Sequence, residues 1–100
     1  MRERCWQLLR EDPDEDVRAM AAACLGSQYF GTKSRQVFRR LVQELKQPEQ
    51  PLETIYRALF KLAGAPPSQW PAHLPLGRIF QESDIDWAKI AWLEDQMVNP

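Results

Sequence analysis

Apolar residues recur along this chain three and four positions apart, the period of helices that each bury one face. Cys5, Trp6, Leu8 and Leu9 mark a short helix over residues 3–10. Val17, Ala21, Cys24 and Leu25 mark a second, which begins near Asp14, runs past Gly26 to Phe30 and stops at Gly31. Val37, Phe38, Leu41, Val42 and Leu45 give a third, capped by Thr32 or Ser34 and reaching about Lys46. Pro48 and Pro51 break the pattern. Leu52, Ile55, Tyr56, Leu59, Phe60 and Ala63 then resume it, until Gly64, Pro66 and Pro67 end the fourth helix. A last helix spans about Ile85 to Met97, with Ser83, Asp84 or Asp86 as cap and Trp87, Ile90, Ala91, Leu93 and Met97 as its expected buried side.

Residues 64–82 interrupt this order. Pro66, Pro67, Pro71 and Pro75 cannot sit inside a helix, and Trp70 and His73 lie among them. Leu76, Ile79 and Phe80 are expected to form a short turn tucked into the core, because a connector this long rarely stays structureless in a small domain. The predicted fold class is all-α.

The run from Asp12 to Gly26 carries the most specific local signal. A short acidic side chain at 12 or 14 can accept from an unpaired N–H of the first turn, and Glu15 and Asp16 place negative charge where the helix dipole favours it. The alanines at 19, 21, 22 and 23 let a neighbouring helix approach closely. Through Asp12, Pro13, Val17, Arg18, Ala21, Leu25 and Gly26 this stretch resembles the first helix of a HEAT repeat. The resemblance implies a short α-α superhelix of about two helical hairpins with capping helices. Its units would be an N-terminal capping helix over 1–10, a first repeat over 12–46, a degenerate second repeat with its Pro-rich connector over 51–82, and a C-terminal capping helix over 83–98. It also implies an Asp12–Arg18 ladder between repeats, and a second helix that lines the docking side. An internal shift of 34 lays Ala21 on Ile55, Cys24 on Ala58 and Leu25 on Leu59, and a shift of 35 equally pairs Val17 with Leu52 and Met20 with Ile55, so two registers are open. Either is shorter than the ~40–47 residues usual for HEAT units.

Composition narrows the function. One hundred residues suffice for a single small core. A net charge of −1 gives no global attraction to nucleic acid or anionic lipid. No apolar run approaches the ~20 residues that span a bilayer, and the opening Met-Arg-Glu-Arg-Cys-Trp lacks a signal peptide's apolar centre. A cytoplasmic location is expected. Cys5 and Cys24 lack metal or redox spacing, so both are expected as reduced thiols on apolar faces.

Catalytic patterns are missing from the chain. Asp12, Asp14 and Asp16 begin like a calcium loop, but Val17 and Ala23 stand where glycine and glutamate are needed. His73 is the single histidine and has no partner at ligand or triad spacing. We therefore expect no enzyme activity, cofactor, metal or small-molecule substrate. The departure from neutrality is local: Lys33, Arg35, Arg39, Arg40 and Lys46 against Glu44 give the third helix segment a charge of +4. Arg35, Arg39 and Gln43 align on one face, with Gln36 and Arg40 beside them. An ordinary solvated face, or pairing with the acidic run at 11–16, would also account for these charges. As a site, Arg35, Gln36, Arg39, Arg40 and Gln43 would bind an acidic protein partner. Nucleic-acid backbone binding by the same face, or an accessory role to an enzyme as in lyase-like HEAT proteins, are the alternatives.

Overall fold

The computed structural model describes residues 2–47, 49–71 and 79–100, with Arg2 described by its backbone alone. Pro48, His73, Pro75 and Leu76 lie outside the described residues, and with them part of the 64–82 connector. Among the described residues five α-helices form: α1 (Arg2–Glu11), α2 (Glu15–Gln28), α3 (Arg35–Leu45), α4 (Leu52–Leu62) and α5 (Trp87–Asp95). Single 3-10 turns occur at Pro67–Gln69 and Glu82–Asp84. Among the described residues no strand forms, and an isolated bridge pairs Ser34 with Asn99.

The helix starts are set by short polar side chains. Asp14 caps α2 by accepting from the Asp16 N–H at 2.9 Å, Ser34 caps α3 through the Val37 N–H, and Asp86 caps α5 through the Lys89 N–H. The stops at α2 and α4 are glycines. Gly31 and Gly64 both adopt φ of +70°, a conformation that a side chain would resist. These two turns lie against each other. Both the Gly31 and Gly64 N–H groups donate to the Lys61 carbonyl, at 2.9 and 3.0 Å, and the Lys33 N–H donates to Leu62 O.

Packing centres on α4, which touches α2, α3 and, more lightly, α5, while α1 packs on α2. The core combines Trp6 and Leu9 with Leu25, Phe38, Leu41, Leu45, Ile55, Leu59, Leu62 and Leu93, all fully or almost fully buried. Burial of each such side chain is worth about 1.5–3 kcal/mol. The small residues of α2 do what their size suggests: Ala21, Ala22 and Gly26 are buried, and a Cβ added at Gly26 would lie 3.1 Å from the Ala58 Cβ. On the other side of the molecule α1 and α3 run parallel. The Arg40 guanidinium lies over the Trp6 ring, and Arg10 Nε is 3.4 Å from Glu44 Oε1, so both contacts join residues 34 apart.

Several local expectations change. Arg18 donates to backbone carbonyls of Asp12 and Glu49 at 2.8 and 2.9 Å, tying two inter-helix turns together, while the Asp12 carboxylate accepts from Asp14 N–H. Phe80 is half-buried and sits 5.9 Å from the Tyr56 ring, but Ile79 is 78% exposed and does not tuck into the core. On α5 the buried stripe reduces to Ile90 and Leu93, continued by Met97. Trp87 and Ala91 are exposed, because a helix on the edge of the stack meets the core along one narrow line.

Two buried acids tie stability to alkaline pH. Burial raises the Cys5 thiol above its ordinary 9.0 and the Tyr56 hydroxyl above its ordinary 10.0. Both groups ionise first in the unfolded chain. Their contribution is therefore complete below the ordinary thiol value and declines as pH rises through 9.0 and 10.0. Melting temperature followed against pH should fall over this range, and Cys5→Ala should delay the onset; an unchanged profile in that variant would exclude the thiol as a cause.

Candidate docking surface

The amphipathic pattern of α3 determines which side chains are free to act. Phe38, Leu41 and Leu45 turn inward, so Arg35, Gln36, Arg39 and Gln43 are exposed and Arg40 is half-buried. The structure brings all five together with Pro100 around one shallow depression of about 480 Å³.

Each arginine already has an internal contact. Arg35 Nη2 and Nε donate to Met97 O at 3.1 and 3.3 Å. Arg39 Nε lies 3.5 Å from Glu94 Oε1 of α5, with the two side chains 60% and 40% exposed. Arg40 stacks on Trp6 at 4.1 Å from the ring centroid. A cation in the first turn of a helix opposes the dipole by about 0.3–1 kcal/mol. At Arg35 the carbonyl of Met97 offsets that cost.

The chain's own last residues thus occupy the N-terminal end of the expected face. Arg35 N–H donates to Asn99 O at 2.7 Å, Asn99 N–H donates to Lys33 O at 3.0 Å, and Ser34 Oγ donates to Pro100 O at 2.9 Å. Lys33 takes a left-handed φ of 52° to present its carbonyl to the tail. Arg35 is therefore partly engaged, while Gln36, Arg39, Arg40 and Gln43 present the open part of the surface. In the acidic run at 11–16, Asp12 and Asp14 accept from backbone N–H groups of their own turn, while Glu11 lines a depression together with Arg10 and Arg40.

No protein-family model matches this sequence, and comparisons with curated proteins and with solved structures find no match. Among the described residues no three His, Cys, Asp or Glu side chains converge as metal ligands, and no helix is long and apolar enough to cross a membrane.

Sequence reasoning missed the contribution of α1. Arg4, Gln7 and Arg10 line a neighbouring depression of about 400 Å³ that shares Arg40 with the α3 face. A third, of about 520 Å³, shares Arg10 with one and Gln43 with the other. The three adjoin along a furrow between α1 and α3, divided by the side chains they share. Its floor holds a nearly buried carboxylate, Glu44, which pairs with Arg10 and accepts from Gln50 Nε2 at 2.9 Å. Gln50 also donates to Leu9 O, locking the two helices together. The signal that could have found α1 was the 34-residue shift, which sets Trp6 level with Arg40 and Arg10 level with Glu44.

Proposed function

We propose that this chain is a non-catalytic interaction module of helical-hairpin, HEAT-like type that docks an acidic segment of a partner protein. Arg39, Arg40, Gln36 and Gln43 form the centre of the site, with Arg35 at one end and Arg4 and Arg10 of α1 extending it. The observation that supports this reading is the depression lined by Arg35, Gln36, Arg39, Arg40 and Gln43 with no carboxylate among them; Arg40 also borders the next one, where Arg4 and Arg10 stand beside Glu3 and Glu11. Guanidinium groups suit carboxylates because their planar donors can bond both oxygens at once. The contact between Arg39 and Glu94 is a small internal version of that recognition. An exposed pair of this kind contributes only about 0–1 kcal/mol, so a partner carboxylate can replace it at little cost. The recurrence of α1–α3 contacts 34 residues apart, with paired glycine turns, supports the repeat-type reading.

The same arginines could hold a nucleic-acid backbone, but single-strand binders add aromatic side chains on which bases stack. Trp6, the aromatic in the furrow, is 2% exposed and already covered by Arg40. The acidic protein segment is the better fit.

Binding of a labelled polyglutamate peptide, measured by fluorescence anisotropy over a salt series, tests the proposal. Arg39→Ala with Arg40→Ala should weaken it about tenfold and flatten its salt dependence, whereas Lys89→Ala should do neither. Equal affinity for wild type and the double variant sinks the reading, and tighter capture of single-stranded DNA would hand the face to nucleic acid.

A further inference from the structure

We propose that Cys5 and Cys24 form a site of oxidative modification, a dithiol that closes into a disulfide between α1 and α2 when it meets a small-molecule disulfide such as oxidised glutathione. The inference stands apart from the docking surface. It rests on the placement of two sulfurs that sequence spacing gave no reason to bring together.

The residues are nineteen positions apart, yet their Sγ atoms lie 3.3 Å from each other across the α1–α2 contact. A disulfide holds its sulfurs about 2.05 Å apart, so closure asks for a shift of little more than an ångström. Gln28, on the last turn of α2, attends the pair. Its Nε2 donates to Cys24 Sγ at 3.2 Å and reaches Cys5 Sγ at 4.0 Å. This orientation leaves Gln28 Oε1 buried with no hydrogen-bond partner. An amide held against two sulfurs at that cost gives the pair a polar contact that simple apolar packing would not need.

The surroundings also assign an order to the chemistry. Cys24 is half-buried, so a small disulfide meets its sulfur first; Cys5 is 9% exposed, and burial holds its proton. Cys24, after losing its proton to solvent, attacks one sulfur of the small disulfide. The small disulfide's S–S bond breaks and one small thiol leaves, so Cys24 carries a mixed disulfide. Cys5 then gives up its proton and attacks the Cys24 sulfur, releasing the second small thiol. The protein loses two protons and two electrons, and the small disulfide takes them up to become two thiols.

The full chain, folded and dilute, should be incubated with oxidised glutathione, then examined by mass spectrometry and thermal melting. The expected product is a monomer lighter by two hydrogens, with a melting temperature raised by about 10 °C. Cys5→Ser should stop at a glutathione adduct on Cys24, and Cys24→Ser should remain unmodified. A wild-type chain that stays reduced, keeps the adduct, crosslinks to a second copy or closes only in denaturant overturns the proposal. That wild-type result decides the matter even if a serine variant fails to fold.

Discussion

Trp6→Ala is expected to reduce the unfolding free energy by about 3–5 kcal/mol, the range for emptying a large aromatic site. The indole is 2% exposed and belongs to the core, while its outer face supports the Arg40 guanidinium. The substitution therefore removes apolar burial and the platform of the Arg40 guanidinium together. Against a total stability of about 5–15 kcal/mol this is a major loss. For a chain of this size it corresponds to a drop in melting temperature of at least about 12 °C. Trp6→Phe keeps a ring beneath Arg40 and should lose much less. A Trp6→Ala chain that melts within a few degrees of wild type would show that the cavity collapses or that the indole is not part of the core.

A large side chain at Gly26 should be nearly as damaging, by the opposite route. The position is buried where α2 crosses α4, and a new Cβ would meet Ala58 Cβ and Lys61 Cδ at 3.1 Å and Ala58 Cα at 3.2 Å. Lys61 can swing aside, but the Ala58 backbone cannot. For Gly26→Ala the tight contact competes with the ~1 kcal/mol that alanine gains over glycine in a helix, so the net change is small. For Gly26→Leu the added branch has no space, and forcing the helices apart should cost about 3 kcal/mol. Chemical denaturation measures both. If the clash is the cause, Ala58→Gly should recover part of the loss in the Gly26→Leu background and contribute a coupling energy in a double-mutant cycle. Strictly additive effects would locate the damage elsewhere.

Much of the helical skeleton was legible because its signals are local. The three- and four-residue apolar spacing, the caps at Asp14, Ser34 and Asp86, and the stops at Gly31 and Gly64 each act within one turn of the residue that carries them. The five residues of the α3 face were legible for the same reason, since α3 has one dominant apolar stripe and they lie opposite it. What escaped depends on contacts between distant segments. Nothing in the identities of Met97, Asn99 and Pro100 encodes that their carbonyls reach Arg35 and Ser34, because backbone acceptors are present at every position. The exposure of Trp87 and Ala91 was equally hidden: helical spacing gives the direction of a stripe, and only the number of neighbouring helices fixes its width. The meeting of Cys5 with Cys24 likewise follows from the crossing of α1 and α2, which no spacing rule contains.

The C-terminal residues also act as a thermodynamic counterweight. Releasing 97–100 from the start of α3 would strip the Arg35 guanidinium of Met97 O and break the pairing of Asn99 with Lys33 and Arg35 in one event. A ligand that favours the released form must meet that penalty before it gains anything, whereas one that seats on Arg39 and Arg40 alone leaves the tail in place. Affinity at the proposed docking face would therefore be graded by how far along α3 a visitor extends.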